Sequence, residues 1–104
     1  MRRLFAVIRS HGDDWDNSRP LERQPGWPAH VVFMNALAAE GFVLIGGPLD
    51  GTDDTLLIVW AEHEDEIRRR LRSDPWSHGM LKLGRIAPWS LRLGEQRLAG
   101  GDRD

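Results

Sequence analysis

Phe42-Val-Leu-Ile-Gly-Gly-Pro-Leu-Asp-Gly-Thr-Asp-Asp-Thr-Leu-Leu-Ile-Val-Trp60 reads as two neighbouring strands joined by a turn rich in Gly, Pro and Asp. Its arms, Phe42–Ile45 and Leu56–Trp60, do not alternate apolar with polar. They are apolar throughout, as a strand covered on both faces requires. The rest of the chain is expected to pack against this hairpin.

Working outward, Leu4–Arg9 is another apolar run of strand length and reads as a central strand. Between it and the hairpin, Ser10–Trp27 carries Gly, Pro, Asp, Asn and Ser without period, which predicts a long surface loop. Gly26-Trp27-Pro28 then opens a helix of about Pro28–Glu40, and Gly41 closes it. His30, Phe33, Met34 and Leu37 recur at helical spacing, so His30 stands at the amino end of the buried stripe.

Beyond the hairpin, Glu62-His63-Glu64-Asp65-Glu66 followed by Arg68, Arg69, Arg70 and Arg72 predicts a second helix, acidic at its start and basic at its end. Glu64/Arg68, Asp65/Arg69 and Glu66/Arg70 are candidate pairs along it. Asp74-Pro75 stops this helix and suits the cap of a short turn. Gly84–Leu93 supplies the last strand, which Pro88 consigns to an edge because proline removes a ladder donor. Residues 95–104 read as a disordered tail behind a single domain of residues 1–94.

The order strand, helix, strand, strand, helix, strand predicts an α+β, ferredoxin-like fold: an antiparallel four-stranded sheet with both helices on one face. Its spatial order is last, first, third, second. Two helices on one face leave the apolar side chains of the other face open. That predicts a homodimer through the open sheet face.

Composition narrows the function. The 104 residues are 40% hydrophobic and 29% charged with a formal net charge of -2, which gives no footprint for nucleic acid. Cysteine is absent, so thiolate chemistry and disulfides are excluded. No apolar run reaches membrane-spanning length, and a cytoplasmic protein without a membrane partner is expected. His11-Gly-Asp-Asp-Trp-Asp16 and Glu62-His63-Glu64 hold ligand types but lack the paired-histidine spacing of zinc or non-haem iron sites. Neither a metal nor a cofactor is expected.

The topology brings the Ser10–Trp27 loop, His30, Gly46–Asp54, Asp74 and Trp76 to one end of the sheet. His30 and Asp74 have the logic of a catalytic pair there: a carboxylate that accepts from one ring nitrogen leaves the other free to take or give a proton. The same two residues also suit purely structural roles, a packed histidine and a helix cap. Trp27, Gly47, Pro48 and Trp76 are candidates to line a small substrate pocket.

His30 ahead of Phe33-Met34-Asn35-Ala36-Leu37 and Glu40-Gly41, then Gly46-Gly47-Pro48, then Asp74-Pro75-Trp76 with Gly79, then Ile86-Ala87-Pro88-Trp89, together resemble the YCII-related (YciI-like) family of dimeric α+β barrels. The resemblance spans about Leu4–Gly94. It implies a homodimer with a His/Asp-centred pocket, with the histidine at His30 and the aspartate at Asp74. It also implies chemistry on a small ring-derived compound by proton abstraction, either an elimination of the dehydrochlorinase kind or an isomerisation. The Ser10–Trp27 loop is longer than in the shortest members and is a candidate lid. Two functions stay open: a cofactor-independent lyase or isomerase, and a non-catalytic ligand-binding or regulatory homodimer in which the pair is structural.

Overall fold

The computed structural model describes residues 1–94; the expected tail of residues 95–104 lies outside them. Four strands, β1 (Arg3–His11), β2 (Val43–Pro48), β3 (Asp54–Ala61) and β4 (Leu81–Pro88), form one antiparallel sheet in the order β2-β3-β1-β4. Helices α1 (Trp27–Ala39) and α2 (Glu64–Leu71) pack on it, giving the expected α+β ferredoxin-like arrangement. Pro88 falls on an edge strand, at the end of β4 rather than inside it.

Register sorts the side chains by face. Phe5 opposes Val59 and Val7 opposes Leu57 on the face that the helices cover, where they form the core with Leu37, Phe42, Ile67 and Leu71. Leu4 opposes Trp60, Ala6 opposes Ile58 and Ile8 opposes Leu56 on the other face. Among the described residues no helix covers that face, and Ile45 and Trp60 remain 59% and 38% exposed. Among the described residues, no helix is long and apolar enough to cross a membrane.

Three expectations need correction. Gly46-Gly47-Pro48 is not turn but the end of β2: Gly46 opposes Leu57 and Pro48 opposes Thr55. A proline is tolerated there because β2 is an edge. The turn itself is Leu49–Asp53, closed by a bond from the Leu49 amide to the Asp54 carbonyl and by Gly51 at φ 81°. The last strand begins at Leu81 rather than Gly84, so the predicted Gly84–Leu93 runs late. Finally, Glu64–Arg68 forms at 2.6 Å, but Arg70 pairs with Glu40 beyond the end of α1 and lies 4.5 Å over the Phe42 ring, not with Glu66. Glu66 instead accepts from the Glu62 amide ahead of the helix.

Candidate functional site

The segment expected as a Ser10–Trp27 loop is shorter, since β1 runs to His11 and α1 starts at Trp27, and it is built, not slack. It is held to the strand end by bonds from the Gly12 and Asp14 amides to the carbonyls of Met80 and Gly79. Gln24, buried inside it, accepts from the Asp16 amide and donates to the carbonyls of Asp16 and Arg19. Trp15, Leu21 and Trp27 close over Trp76, Met80 and Leu81 as a second small core. The loop is a wall of the site, and buried polar groups with satisfied partners are what fix such a wall.

Gly26 takes the left-handed conformation at φ 80° and starts α1 one residue ahead of the expected Pro28. A Cβ there would stand 3.1 Å from the Trp76 indole nitrogen, so glycine also permits the close approach of Trp76. That nitrogen donates to the Pro25 carbonyl at 2.7 Å. One turn into α1, the His30 ring stacks on Trp76 with centroids 4.0 Å apart and planes 12° from parallel.

Asp74 caps the short 3-10 turn Pro75–Ser77 and is fully buried. Its Oδ1 accepts from the Trp76 amide at 2.9 Å, and both oxygens lie 2.9 Å from Nδ1 of His30. Arg9, 2% exposed, reaches the same carboxylate with Nη1 2.9 Å from Oδ2. Burial raises the Asp74 pKa, but the bonds from His30 and the Trp76 amide, with the Arg9 and His30 charges, outweigh burial and hold it below the usual carboxylate value. An ionised carboxylate only accepts, so Nδ1 carries the proton that it donates to Asp74. In the neutral form of the ring Nε2, on the opposite edge, is the acceptor.

His30 lines a cavity of about 380 Å³, within the range of small-molecule sites. Trp15, Trp27 and Trp76 supply its aromatic walls, and Leu57, Thr55 and Gly46–Pro48 its floor. The turn from Leu49 to Thr52 lies along its rim, and Arg9, His11 and Met34 complete it. Thus all the site candidates from the sequence except Asp74 line one cavity, and Asp74 stands directly behind His30.

Arg9 and Trp15 are lining residues that the sequence did not single out, and His11 stood there only among metal-ligand types. For Arg9 a signal existed, a charge on the core-facing side of an otherwise apolar strand. His11 stacks on Trp15 at 3.8 Å and has a buried Nδ1 without a hydrogen bond; Asp53 Oδ1 lies 3.4 Å away. The exposed His63 stands apart from the cavity as the residue before α2.

No family model matches the chain, and no curated protein matches it by sequence. Among solved structures it is similar to the 5-chloro-2-hydroxyhydroquinone dehydrochlorinase of Burkholderia phenoliruptrix AC1100 in complex with 2,5-dihydroxybenzoquinone. The two share 24% identity and a TM-score of 0.64 over 86% of this chain and 95% of that one. At that identity the likeness is one of fold: both chains build the same α+β, ferredoxin-like sheet.

Proposed function

We propose that the protein is a cofactor-independent lyase or isomerase acting on a small ring-derived phenol or enol, with His30 as general base and Asp74 orienting it. The observation that carries this is the equal 2.9 Å approach of His30 Nδ1 to both oxygens of a buried carboxylate, in a histidine that itself lines the cavity. In the reaction, Nε2 takes a proton from a substrate hydroxyl or ring C–H, and the electron pair moves into the ring. In an elimination the substrate reacts as its keto tautomer, in which the halide-bearing ring carbon is sp3: the pair of the broken O–H or C–H bond becomes a new π bond as the halide departs with the electrons of its own carbon bond, and His30 later releases the proton to water. In an isomerisation the same proton returns at another carbon. The fold neighbour is a dehydrochlorinase whose structure holds a hydroxylated quinone, which favours the elimination.

The test is chloride release from chlorinated hydroxyhydroquinones, measured beside folded His30→Ala and Asp74→Asn variants. General-base loss is expected to lower turnover by about 100-fold or more. Unchanged turnover in folded His30→Ala would sink the proposal. One observation favours the non-catalytic alternative: Asp74 is already accounted for as the cap of the Pro75–Ser77 turn and the counter-ion of Arg9. Ligand binding without any turnover would select that alternative.

The assembly we propose is a homodimer. Leu4, Ala6, Ile8, Ile45, Leu56, Ile58 and Trp60 make a continuous apolar face that no helix among the described residues covers, and a two-fold pairing of sheets would bury it. Light scattering at micromolar concentration should give twice the chain mass. A charge at its most exposed position, Ile45→Glu, should return the monomer.

A further inference from the structure

Arg9 lies on the core-facing side of β1, where its neighbours on that face, Phe5 and Val7, are core residues. A guanidinium is expensive to bury and persists in such a place only where its charge is answered. Its Nη1 meets Asp74 Oδ2 at 2.9 Å and the Met34 sulfur at 3.9 Å. Those are the side-chain partners found among the described residues, yet a guanidinium forks into several further N–H donors. None of its nitrogens is both enclosed and unpaired. The remaining donors are therefore not sealed in, and Arg9 lines both the tryptophan-walled cavity and a narrower cleft beside Arg68 and Arg72.

The charges around that cavity point the same way. Asp74 is fully buried behind His30 and is not on the lining, with its oxygens engaged by His30, Arg9 and the Trp76 amide. The negative group that does reach the lining, Asp50, is exposed on the Leu49–Asp53 turn. A ligand near His30 thus meets the cation of the Arg9–Asp74 pair and not its anion. Arg9 and His30 Nδ1 also share one carboxylate oxygen, so the cation and the base stand within two hydrogen-bond lengths of each other.

We infer that Arg9 is a specificity-determining residue that selects an ionised oxygen: the cavity takes a planar ring compound in anionic form, a phenolate or a hydroxyquinone enolate, whose oxygen accepts from the guanidinium. The inference rests on the proposed function for the place of the ligand and adds the ligand's charge. Proton loss to His30 builds negative charge on the ring, and the fixed cation stabilises it where it forms.

The test compares 2,5-dihydroxybenzoquinone, which is ionised at neutral pH, with its neutral dimethyl ether, both titrated calorimetrically. The wild-type chain should bind the ionised compound about ten-fold or more tightly than the ether, as a charge-assisted hydrogen bond provides. Arg9→Gln should erase that preference and leave the ether's affinity in place. Should Arg9→Gln not fold, Arg9→Lys decides, because it keeps a charge beside Asp74 but loses the fork. A preference cut about three-fold or more supports the inference, and an unchanged one overturns it.

Arg9 also borders a narrower cleft with Arg68 and Arg72, so Arg72→Ala is the control. Loss of the preference in Arg72→Ala, its survival in folded Arg9→Gln, or equal wild-type affinities would each overturn the inference. Chloride release that depends on His30 but shows no preference for the ionised compound would overturn this inference alone. An Arg9-dependent preference without turnover would overturn only the catalytic proposal.

Discussion

Nδ1 of His30 stands 2.9 Å from both oxygens of Asp74, although the two residues lie on opposite sides of the hairpin in the chain. The carboxylate is also the counter-ion of a buried arginine, so its two partners differ in what they lose without it. Asp74→Asn leaves Arg9 charged, buried and unanswered. It should cost about 3–5 kcal/mol, as removal of one member of a buried pair does. His30→Gln leaves Asp74 with Arg9 and the Trp76 amide and should cost about 1–2 kcal/mol, the scale of one hydrogen bond. Urea midpoints at constant m decide it; equal losses would show that Asp74 serves His30 alone.

Acid should find the same group. The folded-state pKa of Asp74 lies below its usual 3.8, so below that value the unfolded chain binds the proton first. The pair's contribution to stability is therefore complete above pH 3.8 and is lost as the pH falls through the lower, folded-state value. The unfolding free energy of the wild-type chain should fall in that acid window. Asp74→Asn should be less stable at neutral pH and show a shallower acid slope. Asp16 is depressed too, chiefly by the Ser18 hydroxyl and amide, but it is common to both chains and drops out of the comparison.

Local signals carried the fold. Apolar runs marked the strands, Pro28 and Gly41 bracketed α1, and Pro88 identified an edge before any register was known. The meeting of His30 and Asp74 was legible because topology alone brings their segments to one end of the sheet. Arg9 carries a signal, its alternation with Phe5 and Val7, but a charge closing an apolar run reads first as a strand end. Its burial depends on a carboxylate far along the chain. Gly46-Gly47-Pro48 was misread for a related reason: glycine and proline favour turns locally, whereas here an edge position and a close approach to Leu57 determine their place. The Ser10–Trp27 loop has no period to read, since side-chain bonds to its own backbone and tryptophans from three segments hold it.

Gln24 offers a test of whether that loop is a wall. Its side chain holds the backbone of Asp16 and Arg19 from inside the loop through three hydrogen bonds. Gln24→Ala should cost about 1–3 kcal/mol, the scale of leaving polar groups unmatched. The loss should be local. Trypsin cleavage after Arg23 should accelerate while the far-ultraviolet circular dichroism of the sheet and helices stays unchanged. Cleavage at the wild-type rate would mean that the loop opens freely without Gln24's help.

The two glycines of β2 should part company. Gly46 faces Leu57 on the cavity floor, and a Cβ there would come 2.6 Å from a Leu57 methyl and 3.1 Å from the Leu56 carbonyl oxygen. Leu57 is itself core, so its methyl has room to move only toward the cavity. Gly46→Ala should therefore destabilise by about 1–3 kcal/mol, the usual cost of overpacking, and should weaken ligand binding as the floor rises. At Gly47 a Cβ meets nothing within 4 Å. Its φ is not positive, so alanine fits the strand without strain. Gly47→Ala should leave stability unchanged or raise it by about 0.5 kcal/mol through the stiffer unfolded chain. Thermal midpoints of the two variants, measured side by side, separate the effects. Equal midpoints would mean that β2 does not approach β3 at Gly46 as closely as its register requires.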